Sequence, residues 1–362
     1  MAATAVDKEG LFIPLTSSIQ LIDFSAFLNG DPAKRTATAK QVLSGFQNAG
    51  FIYLENVPIT PELRAATFAK SADFFAQDDA AKLALGWTTP EANRGYSAPG
   101  REKVSNLTTT AEIEKVRAGN PDLKESYEIG REGEPDHPNQ WPVEEPGTRV
   151  AGFRSQMLEF HDQCKALHVE VMRAIAVGMG IDEHFFDSFT DAGDNTLRLL
   201  HYPSVDPNVF KINPGQVRAG EHSDYGSITL LFQDDRGGLQ VKSPNGQFVD
   251  ATPIPGTVVV NAGDLLARWS NDTIKSTIHR VVEPPRKPED GTEYPPRYSI
   301  AWVLTGSRPC VQQTLTLNRY FCNPNFKSHI EAIPGTYATE SEKKYEGINS
   351  GTYLVQRLTA TY

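Results

Sequence analysis

Glu221-His222-Ser223-Asp224-Tyr225-Gly226-Ser227-Ile228-Thr229-Leu230-Leu231-Phe232 joins a histidine and a carboxylate, two positions apart, to a β-branched apolar run. On a strand such positions project from one face, so His222 and Asp224 can grip one metal ion. Outward from this stretch, the sequence after Asn195 falls into short strand-like runs separated by Gly, Pro and Asp. These are Leu197–Tyr202, Gln216–Ala219, Ser227–Phe232, Leu239–Lys242, Phe248–Ala251, Thr257–Asn261, Ser276–Val282 and Tyr298–Val303. Short strands at this spacing predict a double-stranded β-helix, or jelly roll, which encloses a pocket between two sheets. Gly263-Asp264 followed by Leu265 to Trp269 reads as a turn and a short helix interrupting the strands.

A His-x-acid pair is weak evidence alone: with 8 His and 45 acids in 362 residues it arises about once by chance. The chain holds three. His168 and Glu170 sit in a helical pattern, where positions two apart do not face each other. His329 and Glu331 lie close to Pro334 with no histidine after them. Only His222 and Asp224 precede a further histidine in a strand-like run, His279. Two imidazoles and one carboxylate with open positions are the ligand set of non-haem Fe(II) oxygenases, although such a trio also suits zinc. Arg297-Tyr298-Ser299 favours iron: a guanidinium fork and a hydroxyl at alternate strand positions suit the distal carboxylate of 2-oxoglutarate.

The remaining sequence bounds the function. A net charge of -10 without a basic block argues against nucleic acid as partner and for a small molecule. Met1 to Gly10 lacks an apolar signal core, and the longest apolar run, Ala174 to Ile181, is too short to span a bilayer; a soluble, cytoplasmic protein is expected. The three cysteines form no paired framework. Leu11–Leu15 and Ile19–Phe24 read as an opening strand, Ala33–Ala49 as an amphipathic helix ended by Gly50, and Phe51–Leu54 as a strand. Thr60-Pro61 opens a second helix. Gly86 to Gly147 is Gly- and Pro-rich, either a lid or a surface loop, with strand-like alternation only at Lys124–Gly130. Phe153, Met157, Phe160, Cys164, Leu167, Val171 and Ile175 mark a long core helix ending near Gly178 and Gly180. The expected class is α+β. The expected organisation is an N-terminal region of helices and lid-like loops (11–150), the long helix and its connection (151–192), the jelly roll (193–326) and a C-terminal helical segment (327–362).

His222-x-Asp224, His279 and Arg297-x-Ser299, with Trp269-Ser270-Asn271 before the second histidine, resemble the 2-oxoglutarate/Fe(II) dioxygenases related to isopenicillin N synthase. Gly86–Tyr96, Leu197–Pro203 and Gly347–Gly351 are similar, more narrowly, to the thymine 7-hydroxylase family. The resemblance implies Fe(II) on His222, Asp224 and His279, with these residues forming the catalytic centre. It implies 2-oxoglutarate at Arg297 and Ser299 with Tyr202, O2 as oxidant and ascorbate as reductant. The implied substrate is a free pyrimidine base, thymine, whose methyl group is hydroxylated with release of succinate and CO2 in pyrimidine salvage. Arg198 and Tyr225 would contact the base and Phe321 would form an aromatic platform. A hydrophobic pocket excludes an added hydroxyl only about 100-fold, so successive oxidation through 5-hydroxymethyluracil and 5-formyluracil to 5-carboxyuracil is expected. The alternative is oxidation of another small heterocycle or secondary metabolite. Against the family pattern, Trp302 to Arg319 intrudes between Arg297–Ala301 and Tyr320–Asn325. Either this insertion loops out and Tyr320-Phe321 re-enters the strand, or Trp302-Val303 continues it and the platform is rebuilt; a third reading is a retained intron in the gene model.

Overall fold

A computed structural model describes residues 5–6, 12–13, 19–88, 94–100, 122–135, 137–213, 215–304, 324–325 and 327–353. In chain order the strands up to residue 304 are β1 (Ala5–Val6), β2 (Phe12–Ile13), β3 (Gln20–Asp23), β4 (Phe51–Glu55), β5 (Gly95–Ser97), β6 (Glu125–Gly130) and β7 (Asn195–Tyr202). They continue as β8 (Ala219–His222), β9 (Ile228–Gln233), β10 (Leu239–Lys242), β11 (Phe248–Asp250), β12 (Val258–Ala262), β13 (His279–Val281) and β14 (Arg297–Leu304). A large sheet of order β3-β4-β12-β9-β14-β7-β6-β5 faces a smaller one of order β11-β10-β13-β8. Only β3 and β4 pair in parallel within these two sheets. This is the two-sheet α+β jelly roll that the strand spacing predicts.

Local chemistry explains the helices that back the large sheet. Asp31 accepts hydrogen bonds from the amides of Ala33 and Lys34 and caps helix Pro32–Asn48. Thr60 caps Pro61–Phe75 through the Leu63 amide. In both, proline occupies the first turn, where no amide donor is needed. Helix Phe153–Met179 ends at Gly180, whose φ of 74° is the left-handed conformation that closes helices. Its apolar stripe, including Phe153, Phe160, Leu167 and Ile175, is fully buried. Phe160 meets Phe232 of β9 edge to face at 5.0 Å.

Alternation along three adjacent strands separates this helical core from the cavity. On β7, Leu197 and Leu199 are buried in the core, whereas Arg198, Leu200 and Tyr202 line the cavity. Thr229 and Leu231 of β9 and Arg297, Ser299 and Ala301 of β14 do the same. The register places Arg297 opposite Tyr202, Ser299 opposite Leu200 and Ala301 opposite Arg198. β14 runs on through Trp302, Val303 and Leu304, paired with Leu197, Thr196 and Asn195. Of the two routes open to the insertion, its first residues therefore continue the strand. Phe321 lies outside the described residues.

Three elements differ from expectation. The strand expected at Gln216–Ala219 begins at Ala219 instead, because pairing with β13 starts where Ala219 meets Val281. β6 does not alternate; all six of its residues are buried. In the C-terminal segment expected to be helical, His329–Ile330 pairs antiparallel with Ile348–Asn349 and Glu340–Glu342 forms a short 3-10 turn, while residues 350–353, the last that the structure describes, are helical. Pro334 and Gly335, with φ of 88°, break any helix there, and the Asn271 side chain bonds the backbone of Thr336, Glu342 and Lys344.

The polar residues of β6 are buried because they find partners. Glu125 accepts from Lys82 Nζ at 3.0 Å, from the Tyr96 hydroxyl and from His201 at 2.6 Å. His201 in turn stacks on Tyr298 of β14 at 4.7 Å, tying the N-terminal helices to the sheet. Burial alone would raise the Glu125 carboxyl, but the bonds from His201, Tyr96 and Lys82 outweigh it and hold the group below the ordinary carboxylate value of 4.5. A depressed folded pKa means that the stabilisation is complete above the unfolded value and lost as pH falls through the folded one. Glu125→Gln should destabilise the protein by about 3 kcal/mol near neutral pH and flatten the acid side of its stability profile, as followed by urea unfolding at several pH values. An unchanged acid limb would contradict this account.

Candidate active site

β8 ends at His222 and β13 begins at His279, and the two are register partners with ring centroids 4.2 Å apart. His222 Nδ1 lies 2.8 Å from the Gly220 carbonyl, and His279 Nδ1 lies 3.1 Å from that of Thr277. Carbonyls only accept, so each Nδ1 donates and Nε2 is the nitrogen left to ligate a metal. Asp224 Oδ2 accepts from Thr229 Oγ1 at 2.6 Å and Asn261 Nδ2 at 2.7 Å. Its Oδ1 stands 3.9 Å from His222 Nε2 and 3.7 Å from His279 Nε2. One ligand atom from each residue lies within 4.8 Å of the others, and among the described residues this is the only such metal-capable trio. Two imidazole nitrogens and a single carboxylate oxygen converging at this spacing suit Fe(II) with positions left open.

Strand alternation does not place Asp224, because β8 ends at His222 and Asp224 sits in the following turn. That turn is held from outside. The amides of Gly263, Asp264 and Leu265 bond the carbonyls of Ser227, Asp224 and Tyr225, and Ser223 Oγ bonds Asp264 Oδ2 at 3.2 Å. Contact is so close that a Cβ on Gly263 would sit 2.3 Å from the Gly226 oxygen. The Gly263-Asp264 turn visible in the sequence is thus the clamp on the carboxylate ligand. His279 is braced similarly: Lys275 bonds the carbonyls of Phe46 and Asn48, and Thr277 that of Ala49, at the end of helix Pro32–Asn48. Phe51 packs edge-on to the imidazole at 5.3 Å.

Farther along the cavity, Arg297 is 1% exposed. Its Nε donates to the Gly237 carbonyl at 3.0 Å, Nη1 reaches Ser299 Oγ at 3.3 Å, Nη2 reaches Gln233 at 3.4 Å, and its carbon lies 4.8 Å from the Tyr202 ring centroid. No carboxylate ion pair holds it among the described residues, so a buried cation faces the cavity beside a hydroxyl. Such an arrangement suits an anionic ligand.

Arg198 also lines the cavity, with Nε 3.0 Å from Glu128 and Nη2 donating to Ser126 at 3.1 Å. Tyr202 lines it too. Tyr225 is buried but is not among the lining residues. Sequence reasoning passed over Thr229 and Asn261, which fix Asp224, and Lys124, which lines the cavity and pairs with Asp122 at 3.3 Å. Asp122 itself accepts from the Gly220 amide of β8. Lys124 heads the single strand-like run of the long irregular segment, but no sequence signal distinguishes it from a surface lysine.

With this geometry in hand, residues 193–305 match the 2OG-Fe(II) oxygenase superfamily, and residues 19–146 match the family described as non-haem dioxygenase in morphine synthesis N-terminal. The 2-oxoglutarate-Fe(II) type oxidoreductase ppzD of Metarhizium rileyi is 33% identical over 351 residues, covering 95% of this chain and 91% of its own. The chain belongs to the 2-oxoglutarate-Fe(II) oxygenases, enzymes that use iron and 2-oxoglutarate.

Among solved structures it is similar to full-length Neurospora crassa thymine 7-hydroxylase in complex with alpha-KG and thymine, at 67% identity, TM-score 0.83, and coverage of 99% of this chain and 100% of that one. The same enzyme with alpha-KG and 5-formyluracil aligns at 63% identity, TM-score 0.80 and 99% coverage of both chains.

Outer partners of metal ligands typically contribute about 10–100-fold to metal affinity. Asn261→Ala and Thr229→Val should each weaken Fe(II) binding to about that extent, measured by competition with a chromogenic chelator. Gly263→Ala should do likewise by displacing the Asp224 turn. Wild-type affinity in all three would refute the roles assigned to these contacts.

Proposed function

We propose that this protein hydroxylates the methyl group of free thymine and carries the oxidation onward through 5-hydroxymethyluracil and 5-formyluracil to 5-carboxyuracil. The observation that carries this reading is the whole-chain similarity to the N. crassa thymine 7-hydroxylase bound to thymine and to 5-formyluracil. The first turnover is thymine + 2-oxoglutarate + O2 → 5-hydroxymethyluracil + succinate + CO2. His222, Asp224 and His279 hold Fe(II), which when bound supplies oxygen activation.

The chain's own residues supply binding and orientation. Arg297 and Ser299 hold the distal carboxylate of 2-oxoglutarate, and the Tyr202 ring flanks the guanidinium. Arg198 presents its fork to the base in an orientation fixed by Glu128 and Ser126. That Arg198 lines the cavity supports contact with substrate, while its bond to Glu128 makes it an ion-pair residue as well. Tyr225, buried and absent from the cavity lining, is given no contact with the base. Leu200, Leu231 and Leu239 give the cavity apolar walls that limit water around the reacting methyl. Methyl recognition by such walls is worth only about 1–3 kcal/mol, which leaves the hydroxylated product acceptable as the next substrate.

Anaerobic loading with Fe(II), followed by oxygen and 2-oxoglutarate, should give succinate stimulated by thymine and matched by 5-hydroxymethyluracil. Uracil, which lacks the methyl, should yield no hydroxymethyl product. Stimulation by another heterocycle but not thymine would overturn the substrate assignment, and no turnover of 5-hydroxymethyluracil would overturn the successive steps. Arg198→Met should raise the KM for thymine by about ten-fold or more while sparing thymine-independent succinate formation.

A further inference from the structure

Arg218 is 1% exposed, and its Nε, Nη1 and Nη2 are all buried without a hydrogen-bond partner among the described residues. A buried guanidinium left this way costs several kcal/mol, so something other than the described protein groups must compensate it. Its position indicates what. The Arg218 amide bonds the Val281 carbonyl, the Val282 amide bonds the Gly238 carbonyl, and Arg297 Nε bonds the Gly237 carbonyl. These links staple Arg218 to the segment that fixes Arg297, while its neighbour Ala219 and its partner Val281 line the cavity.

The local charges reinforce this. Burial and the repulsion of Arg297 push the Arg218 guanidinium down to about 10, still protonated at neutral pH; Tyr202 and Asp234 attract it, and Arg236 repels it. Arg236 is already paired with Asp290 at 2.7 Å. Asp234 is itself raised by burial and is engaged by the amides of Tyr298 and Arg236. Two buried guanidiniums therefore share one carboxylate that is occupied elsewhere.

We propose that Arg218 is a second cationic positioning residue of the cosubstrate site, supplying with Arg297 the field that holds the distal carboxylate of 2-oxoglutarate. This rests on reading Arg297 and Ser299 as the cosubstrate anchor. It also gives Arg218, which does not itself line the cavity, a reason to remain charged: the dianion held at Arg297 offsets the repulsion between the two guanidiniums.

The test titrates Fe(II)-loaded full-length protein under anaerobic conditions with 2-oxoglutarate, and separately with 2-oxopentanoate, which has the same chain length but no distal carboxylate. Binding is followed by charge-transfer absorption and by the shift in melting temperature. Arg218→Met should weaken 2-oxoglutarate about 10–100-fold, the worth of a charged contact, and leave 2-oxopentanoate unchanged. The variant without ligand should melt no lower than wild type, because an unpaired buried charge has been removed. A structural arginine would instead lower that melting temperature and affect both keto acids alike. In turnover the KM for 2-oxoglutarate should rise with kcat and the KM for thymine little altered. Arg218→Gln is the second neutral variant, read by the same criteria should the methionine variant not fold. Arg297→Met separates the two readings. If it loses 2-oxoglutarate while both Arg218 variants retain it, the role of Arg218 is overturned; if Arg297→Met itself retains 2-oxoglutarate, the anchor reading fails.

Discussion

One oxygen of Asp224 is held by Thr229 and Asn261 from neighbouring strands of the large sheet, and the other is left facing two histidines of the smaller sheet. This division of a single carboxylate joins the two halves of the jelly roll at the point where the chemistry is placed. Without the two donors, the carboxylate could rotate away from the imidazoles; without the carbonyl-oriented imidazoles, two of the three ligand atoms would no longer converge on it. The surrounding structure serves to keep these few atoms in register. The Gly263–Leu265 amides hold the Asp224 turn, and the end of helix Pro32–Asn48 braces the approach to His279. The N-terminal region therefore braces the metal-capable trio although none of its three residues comes from there.

The cavity next to the ligands divides by polarity as well as by position. Arg297, Ser299 and Tyr202 gather at one level of the large sheet, and Arg198 lies at another, opposite Ala301. Since β14 carries both Arg297 and Ala301, the proposed cosubstrate anchor and the proposed substrate wall are registered by the same strand. That strand continues into the insertion through Leu304. The hydrogen bonds that fix Arg297 are all made to Gly237, Ser299 and Gln233, none of which lies beyond Ala301.

Much of this architecture was legible in local patterns. Alternation along β7, β9 and β14 marks which side chains leave the core, because a strand's period of two depends only on its own backbone. The caps at Asp31 and Thr60 and the glycine stop at Gly180 are likewise local chemistry. The buried Glu125 was not legible: its partners Lys82, Tyr96 and His201 come from three separate segments, and an acid on an alternating run reads as solvent-facing. The strand pair and turn that precede the helical residues 350–353 were not legible either, because the contacts that hold Thr336 to Lys344 are made by the Asn271 side chain, far away in sequence.

The sequence by itself determined the two-sheet fold class, the identity of the metal-capable trio and the pairing of Arg297 with Ser299, since each depends on residue type and short-range periodicity. Only the tertiary structure decided how Asp224 reaches the histidines, because it lies past the end of β8 in a turn whose shape is imposed by Gly263 and Asp264. It also decided that Thr229, Asn261, Lys124 and Arg218 matter. Their chemistry is ordinary until burial removes water and distant strands bring them beside a charge, and neither burial nor that proximity is written in the order of the residues.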